Sequence, residues 1–186
     1  MSDLENRHFK LLWGIRRSIR YHVHRQSFFE GFNTCSNVVA LLFGSGAILT
    51  VLAKYPDWLT ISLAAFVTVF STINLVVRTT ERAQAHRDFS KQFHEIEKNL
   101  MAGRPTEEMI QKAMARRLEI EADEPPVLLV LDAICHNEML RSEGYDRITD
   151  ASQHCNVTRT QRLFAHIFDL WPDKIDRGRT SSPKPC

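Results

Sequence analysis

Gly31–Ala53, GFNTCSNVVALLFGSGAILTVLA, and Trp58–Val77, WLTISLAAFVTVFSTINLVV, decide how this chain is read. Neither stretch contains an acidic or a basic residue. Each is about as long as the ~20 residues an α-helix needs to cross the hydrocarbon core of a bilayer. Between them lies only Lys54-Tyr55-Pro56-Asp57, and Pro56 cannot continue a helix, so the chain turns there. The pair predicts a transmembrane hairpin. The alternative is two buried helices of a soluble bundle, but such helices seldom run so far without a charge.

The flanks fit a membrane. Arg16, Arg17, Arg20 and Arg25 precede the first stretch, and Arg78, Arg82 and Arg87 follow the second. The turn carries one Lys and one Asp, so the positive-inside rule puts both termini in the cytoplasm and the turn outside. Tyr55 and Trp58 then sit at the outer interface, where amphipathic rings are favoured.

Each stretch has two unlike faces when wound at about 100° per residue. In the first, Asn33, Ser36, Asn37, Ala40, Gly44 and Ala47 share a side, with Val38, Leu42, Leu49 and Leu52 opposite. In the second, Thr60, Ala64, Thr68, Ser71 and Thr72 cluster with Asn74 at the edge. Leu59, Leu63, Phe66, Phe70, Ile73 and Val77 lie opposite. Small and polar residues within a membrane face other helices or water, because lipid leaves polar groups unsatisfied. Ser36, Ala40 and Gly44 form a small-xxx-small ladder, the candidate helix-packing contact. Thr60, Ala64, Thr68, Ser71, Thr72 and Asn74 are the candidate lining of a pore in an oligomer; plain helix packing explains the same pattern.

The chain has 186 residues and a formal net charge of +2, too small to argue for a nucleic-acid partner. Asp3 and Glu5 open the sequence and no apolar core follows at once, so no signal peptide is expected. The four cysteines include no CxxC pair, and reduced thiols are expected.

Before the hairpin, Leu11, Leu12, Ile15, Ile19 and Val23 recur at helical spacing, with Lys10 and the arginines on the other faces. Residues 1–30 therefore predict a basic amphipathic helix, expected to lie along the anionic inner leaflet. Beyond the hairpin (31–77, spans 31–53 and 58–77) comes a cytoplasmic helical region, 78–171, then a tail, 172–186, expected to be disordered. No breaker follows Val77 until Gly103, so the second span is expected to continue as one long helix. On it Ala85, Phe89, Phe93, Ile96 and Leu100 form a seam, suited to a coiled coil or to packing within the chain. Thr106 is the expected cap of the next helix, lined by Met109, Ile110, Ala113, Met114, Leu118 and Ile120. Pro126 is expected to open a helix over 127–143 that ends at Gly144, and a last helix is expected over 158–170.

Catalytic signals are thin. Cys135 and His136, adjacent on a helix, diverge by about 100°. His154-Cys155 lacks a second ligand pair at metal spacing, and no Gly-rich phosphate loop, GxSxG or HExxH is present. No catalytic residue, cofactor or metal site is expected.

One ordered pattern lies outside the spans. A basic helix with Tyr21-His22-x-x-Arg25-x-x-Phe28-Phe29 precedes the hairpin. After the long helix come Glu124-Pro125-Pro126 and Leu131-Asp132-x-x-Cys135-His136-Asn137-Glu138. Over about residues 10–145 the chain resembles the SLATT family of bacterial two-span effectors. The resemblance implies an oligomeric membrane pore in anti-phage or conflict systems, linked to nucleotide second messengers or their sensors. Tyr21, His22, Arg25, Cys135, His136, Asn137 and Glu138 would then be structural or regulatory. No sensor domain is recognisable in these residues, so a separately encoded partner would supply the trigger.

The expectation is an all-α membrane protein: a two-span helical hairpin with an N-terminal amphipathic helix and C-terminal cytoplasmic helices. It would sit in the bacterial inner membrane, contact lipids and form a homo-oligomer. Three function classes stay open: a pore-forming effector, a non-conducting anchored interaction or superinfection-exclusion protein, and a membrane enzyme, the last lacking any convergent acid, base and nucleophile.

Overall fold

The computed structural model describes residues 2–45, 50, 54–145 and 153–175. Among these the chain is helical, with no strand. We label the helices α1 (Asp3–Gly44), α2 (Asp57–Val77), α3 (Thr79–Met101), α4 (Glu107–Asp123), α5 (Leu129–Ser142) and α6 (Arg159–Phe164), followed by a 3-10 turn, Pro172–Lys174. The chain divides into two compact units, Arg25–His86 and, around it in sequence, Met1–His24 with Arg87–Cys186.

In the larger unit the start of α1 is a core element. Leu11, Ile15 and Ile19 recur every four residues and are buried with Phe93, Ile96 and Leu100 of α3 and Ile110, Ala113 and Ile120 of α4. This corrects the expectation that the first helix lies on a lipid surface: Leu11, Leu12, Ile15 and Ile19 of its apolar stripe pack on two helices of its own chain, while Val23 is exposed. Its basic face is also occupied. Arg7 makes a two-pronged bond to Glu107, 2.8 Å on each arm. Arg16 meets Glu97 at 2.7 Å and Arg17 meets Asp132 at 3.2 Å. Each such exposed pair adds little stability, but together they commit three of the basic residues to acids of the same chain; Arg20 bonds the Ser142 hydroxyl at 3.0 Å.

The seam of α3 packs within the chain. Phe93, Ile96 and Leu100 are buried, whereas Ala85, expected on the seam, is exposed; His86 and Ser90 are buried instead. On α4, Thr106 caps the helix as expected, accepting from the Met109 amide at 3.2 Å. Met114 and Leu118, expected inside, face solvent. With only Ile110, Ala113 and Ile120 inward, α4 shows the core a narrower stripe than its composition suggests.

A second core surrounds α5: Val130, Leu131, Ala133 and Cys135 pack with Tyr21, Cys155, Val157, Ala165 and Ile175. The helix opens at Leu129, not at Pro126, because its first amides are held from elsewhere. Asp169 accepts from the amides of Leu129 and Val130, both at 2.9 Å. The cap is therefore a carboxylate 40 residues away in sequence, placed where the helix dipole favours negative charge. α6 opens with a capping box between Thr158 and Gln161 but ends at Phe164, short of the expected Leu170. Where the tail was expected to begin, Pro172–Lys174 form a turn and Ile175 is buried in the second core. Residues 176–186 lie outside the described residues.

In the smaller unit, α2 is 21 residues long with mean hydropathy 2.0 and no buried residue. It is the one helix among the described residues long and apolar enough to cross a membrane. The first apolar stretch is helical through Gly44 as part of α1, while 46–49 and 51–53, including Ala47, Leu49 and Leu52, lie outside the described residues. α2 does not run on into α3. Arg78 adopts the left-handed conformation, φ 53° and ψ 52°, and breaks the helix. A left-handed arginine costs about 1–2 kcal/mol, so nothing in residue type announces the break.

Phe93→Ala should destabilise the larger unit by about 3–5 kcal/mol, whereas Leu118→Ala should stay within about 0.5 kcal/mol. Chemical denaturation followed by circular dichroism in detergent checks the contrast; equal losses would contradict the assigned core.

Candidate functional site

The paired helices of the smaller unit place the candidate pore and packing residues. Ser36 is buried and Ala40 half-buried, so this part of the ladder packs within the smaller unit. Gly44 does not. A Cβ there would meet nothing within 4 Å, and the residue borders an open groove of about 210 Å³ with Phe43, Thr60, Leu63, Ala64 and Thr68. The contact is set by large side chains rather than by small ones. Phe32 meets Phe70 with ring centroids 4.8 Å apart, and Phe43, Leu63 and Val67 line the groove beside Gly44.

The candidate pore face is split. Thr60, Ser71 and Asn74 are half-buried, while Ala64, Thr68 and Thr72 are exposed. The apolar face expected outside is split too: Leu59, Leu63, Phe70 and Val77 are half-buried, Phe66 and Ile73 exposed. Thr68 and Thr72 donate their hydroxyls to the carbonyls of Ala64 and Thr68, each at 2.8 Å. A hydroxyl satisfied by its own helix is cheap to place in an apolar setting.

At the end of α2 the polar groups form a chain across the helices. Asn74 Nδ2 donates to Asn33 Oδ1 at 3.1 Å, and the buried Thr79 hydroxyl donates to Asn74 Oδ1. Asn74 thus ties α1 to α2 and spans the break at Arg78. Nearby, the buried Phe29 ring stacks on His86, centroids 5.8 Å apart, with Arg25 at 4.6 Å and Arg82 at 6.0 Å from its centre. Neither the pairing of Asn33 with Asn74 nor the cationic cage around Phe29 was assigned from sequence. Asn33 near the start of one uncharged stretch and Asn74 near the end of the other were the available signal.

In the larger unit most of the family-like motif residues are interior fastenings. The Tyr21 hydroxyl accepts from the Leu128 amide at 3.1 Å. His22, 1% exposed, lies 3.0 Å from Glu124 and stacks on Phe93, centroids 5.6 Å apart. Asn137 holds the backbone of Cys155 by both ends of its amide, each bond 2.7 Å. Glu138 meets His24 at 2.8 Å. Burial, then the carboxylates of Glu138 and Asp132, push the Cys135 thiol up, so it stays protonated.

His136 is buried and its Nε2 lies 3.1 Å from the Gln153 carbonyl. A carbonyl can only accept, so Nε2 carries the proton and Nδ1 is a lone pair. Among the described residues Nδ1 has no hydrogen-bond partner, nor does the indole N–H of Trp13, whose ring stands edge-on to it at 6.0 Å. Burial lowers the His136 pKa, with Arg17 acting in the same direction and the Gln153 carbonyl opposing.

An open groove of about 860 Å³ lies between α3 and α4, with Glu95, Glu108, Lys112, Arg116 and Glu119 on its walls. Arg116 bonds Glu119 and Gln92, so its charge is spent locally. Among the described residues no group of three or more His, Cys, Asp or Glu side chains is arranged to hold a metal ion. No family model, no curated protein and no solved structure matches this chain.

Two outcomes check this geometry. Cysteines replacing Asn33 and Asn74, with the native thiols removed, should be joined by a short dimaleimide; absence of the link would refute the pairing. For His136, the unfolded chain takes its extra proton near the ordinary value of 6.5 and the folded chain only below it. Stability from the neutral ring is therefore complete above about 6.5 and lost as pH falls towards the lower folded value. Thermal melts from pH 7 to pH 5 should show a smaller decline in His136→Gln than in the wild type; equal declines would argue against it.

Proposed function

We propose that this chain is a two-span membrane effector that oligomerises and permeabilises the bacterial inner membrane, triggered by a separately encoded partner. The observation that carries the membrane part is α2: 21 residues, mean hydropathy 2.0, none buried within the chain. An apolar helix this long that its own chain leaves uncovered requires another cover, and lipid is the simplest one. Pairing of the first apolar stretch with α2 through Phe32–Phe70 and Asn33–Asn74 supports a hairpin. Arginines at positions 25, 78, 82 and 87 support cytoplasmic termini.

Conduction rests on the resemblance to the SLATT family and on the exposed Ala64, Thr68 and Thr72 face. One helical pair encloses no water, so a path needs several copies. The groove beside Gly44 offers room for a side chain of a neighbouring copy. No acidic residue lies in either apolar stretch, so weak ion selectivity is expected, with Arg78 biasing the inner mouth against cations.

A second reading, a non-conducting anchored interaction or superinfection-exclusion protein, is favoured by the self-satisfied hydroxyls of Thr68 and Thr72, which need no water.

Ion flux from liposomes separates the two. Thr68→Leu with Thr72→Leu should leave insertion intact and abolish leakage, whereas Val69→Leu with Val76→Leu, on another exposed side, should leave it near wild type. Equal behaviour of the two double variants, or no wild-type leakage at high density with the cognate partner, would leave the anchored reading in place.

A further inference from the structure

We infer that the segment Leu163–Trp171 is a second membrane contact, which docks on the surface of the inner leaflet. The first helix was expected to make that contact, but Leu11, Ile15 and Ile19 of its apolar stripe are buried, and Arg7, Arg16 and Arg17 are ion-paired within the chain. The uncovered apolar surface of the larger unit lies instead at the other end of the sequence. Leu163 is 73% exposed, Ile167 61%, Trp171 58% and Phe168 46%. Their spacing of four puts Leu163, Ile167 and Trp171 in sequence register, and Phe168 stacks on Phe164, centroids 5.3 Å apart. The bonds from Asp169 to the start of α5 bring the exposed Leu129 alongside.

Three observations select lipid as the occupant. The residues are of the type that settles at a membrane interface: an indole and a phenyl ring with long aliphatic neighbours. Next, Arg159 and Arg162 are exposed and form no ion pair among the described residues, which suits anionic headgroups. The segment's one acid, Asp169, is engaged with the amides of α5, and the exposed Asp173 follows two residues beyond Trp171. Lastly, the His166 ring lies 6.2 Å from that of His24. From His24, α1 runs unbroken into the uncharged stretch, which begins at Gly31, about two helical turns on. The segment therefore lies beside the last residue that α1 gives to the larger unit, seven positions before Gly31 in sequence.

This inference rests on the membrane reading above, and one experiment separates the two. The protein is reconstituted into anionic vesicles whose acyl chains are brominated just below the headgroups, and Trp171 emission is taken as the difference between Trp58→Phe and the variant that also carries Trp171→Phe. Trp58 emission is taken in the same way by exchanging the roles. Expected are a blue-shifted Trp171 quenched by the brominated chains and shielded from aqueous iodide, and loss of that quenching in Leu163→Ser with Ile167→Ser. Quenching of Trp58 but not Trp171, with iodide reaching Trp171, overturns this inference alone. A Trp171 shielded from iodide, unquenched by bromine and sensitive to protein density would overturn it in favour of a second copy. Quenching of neither tryptophan would overturn the membrane reading as well.

Discussion

α1 is the constraint on which the packing depends, because one 42-residue helix supplies side chains to both units. In the larger unit its stripe of Leu11, Ile15 and Ile19 is the common wall for α3 and α4, and Tyr21 serves the core around α5. In the smaller unit Phe32, Asn33 and Ser36 meet α2 or are buried. A helix without an internal break carries its hydrophobic stripe at fixed angular spacing. Residues that change from leucine and isoleucine to phenylalanine, asparagine and serine along it therefore change the partner it can take.

Polar groups within the apolar part are handled by short local chains. Hydroxyls of Thr68 and Thr72 close on their own helix, and Asn74 passes one bond to Asn33 and receives one from Thr79. An amide side chain has both a donor and an acceptor, so it can join two helices and a break in one stroke. The left-handed Arg78 follows directly, and the bonded Asn74–Thr79 pair offsets part of its strain.

The motif residues of the larger unit act as fastenings. Tyr21, His22 and Asn137 each bind a backbone or carboxylate partner from a distant part of the chain, and Glu138 binds the His24 ring. His136 differs, since one ring nitrogen is bonded and the other is left as a buried lone pair. Such a group is tolerated only in its neutral state, which ties this fold to a protonation state.

The sequence by itself determined the helical class, the length and apolarity of α2, the cap at Thr106, and the stop at Gly144. Each depends on residues within a few positions of one another, and helix periodicity and capping are local physics. Only the tertiary structure decided what covers each stripe. Leu11, Ile15 and Ile19 read equally well as lipid-facing or core, and the acids that neutralise Arg7, Arg16 and Arg17 lie on three other helices. The same holds for Asp169 capping α5, for the open space at Gly44, and for exposed Leu163 and Trp171 beside buried Ile175. A stripe's periodicity records that it is to be buried, while the identity of its partner depends on contacts far apart in the chain, which no local pattern encodes.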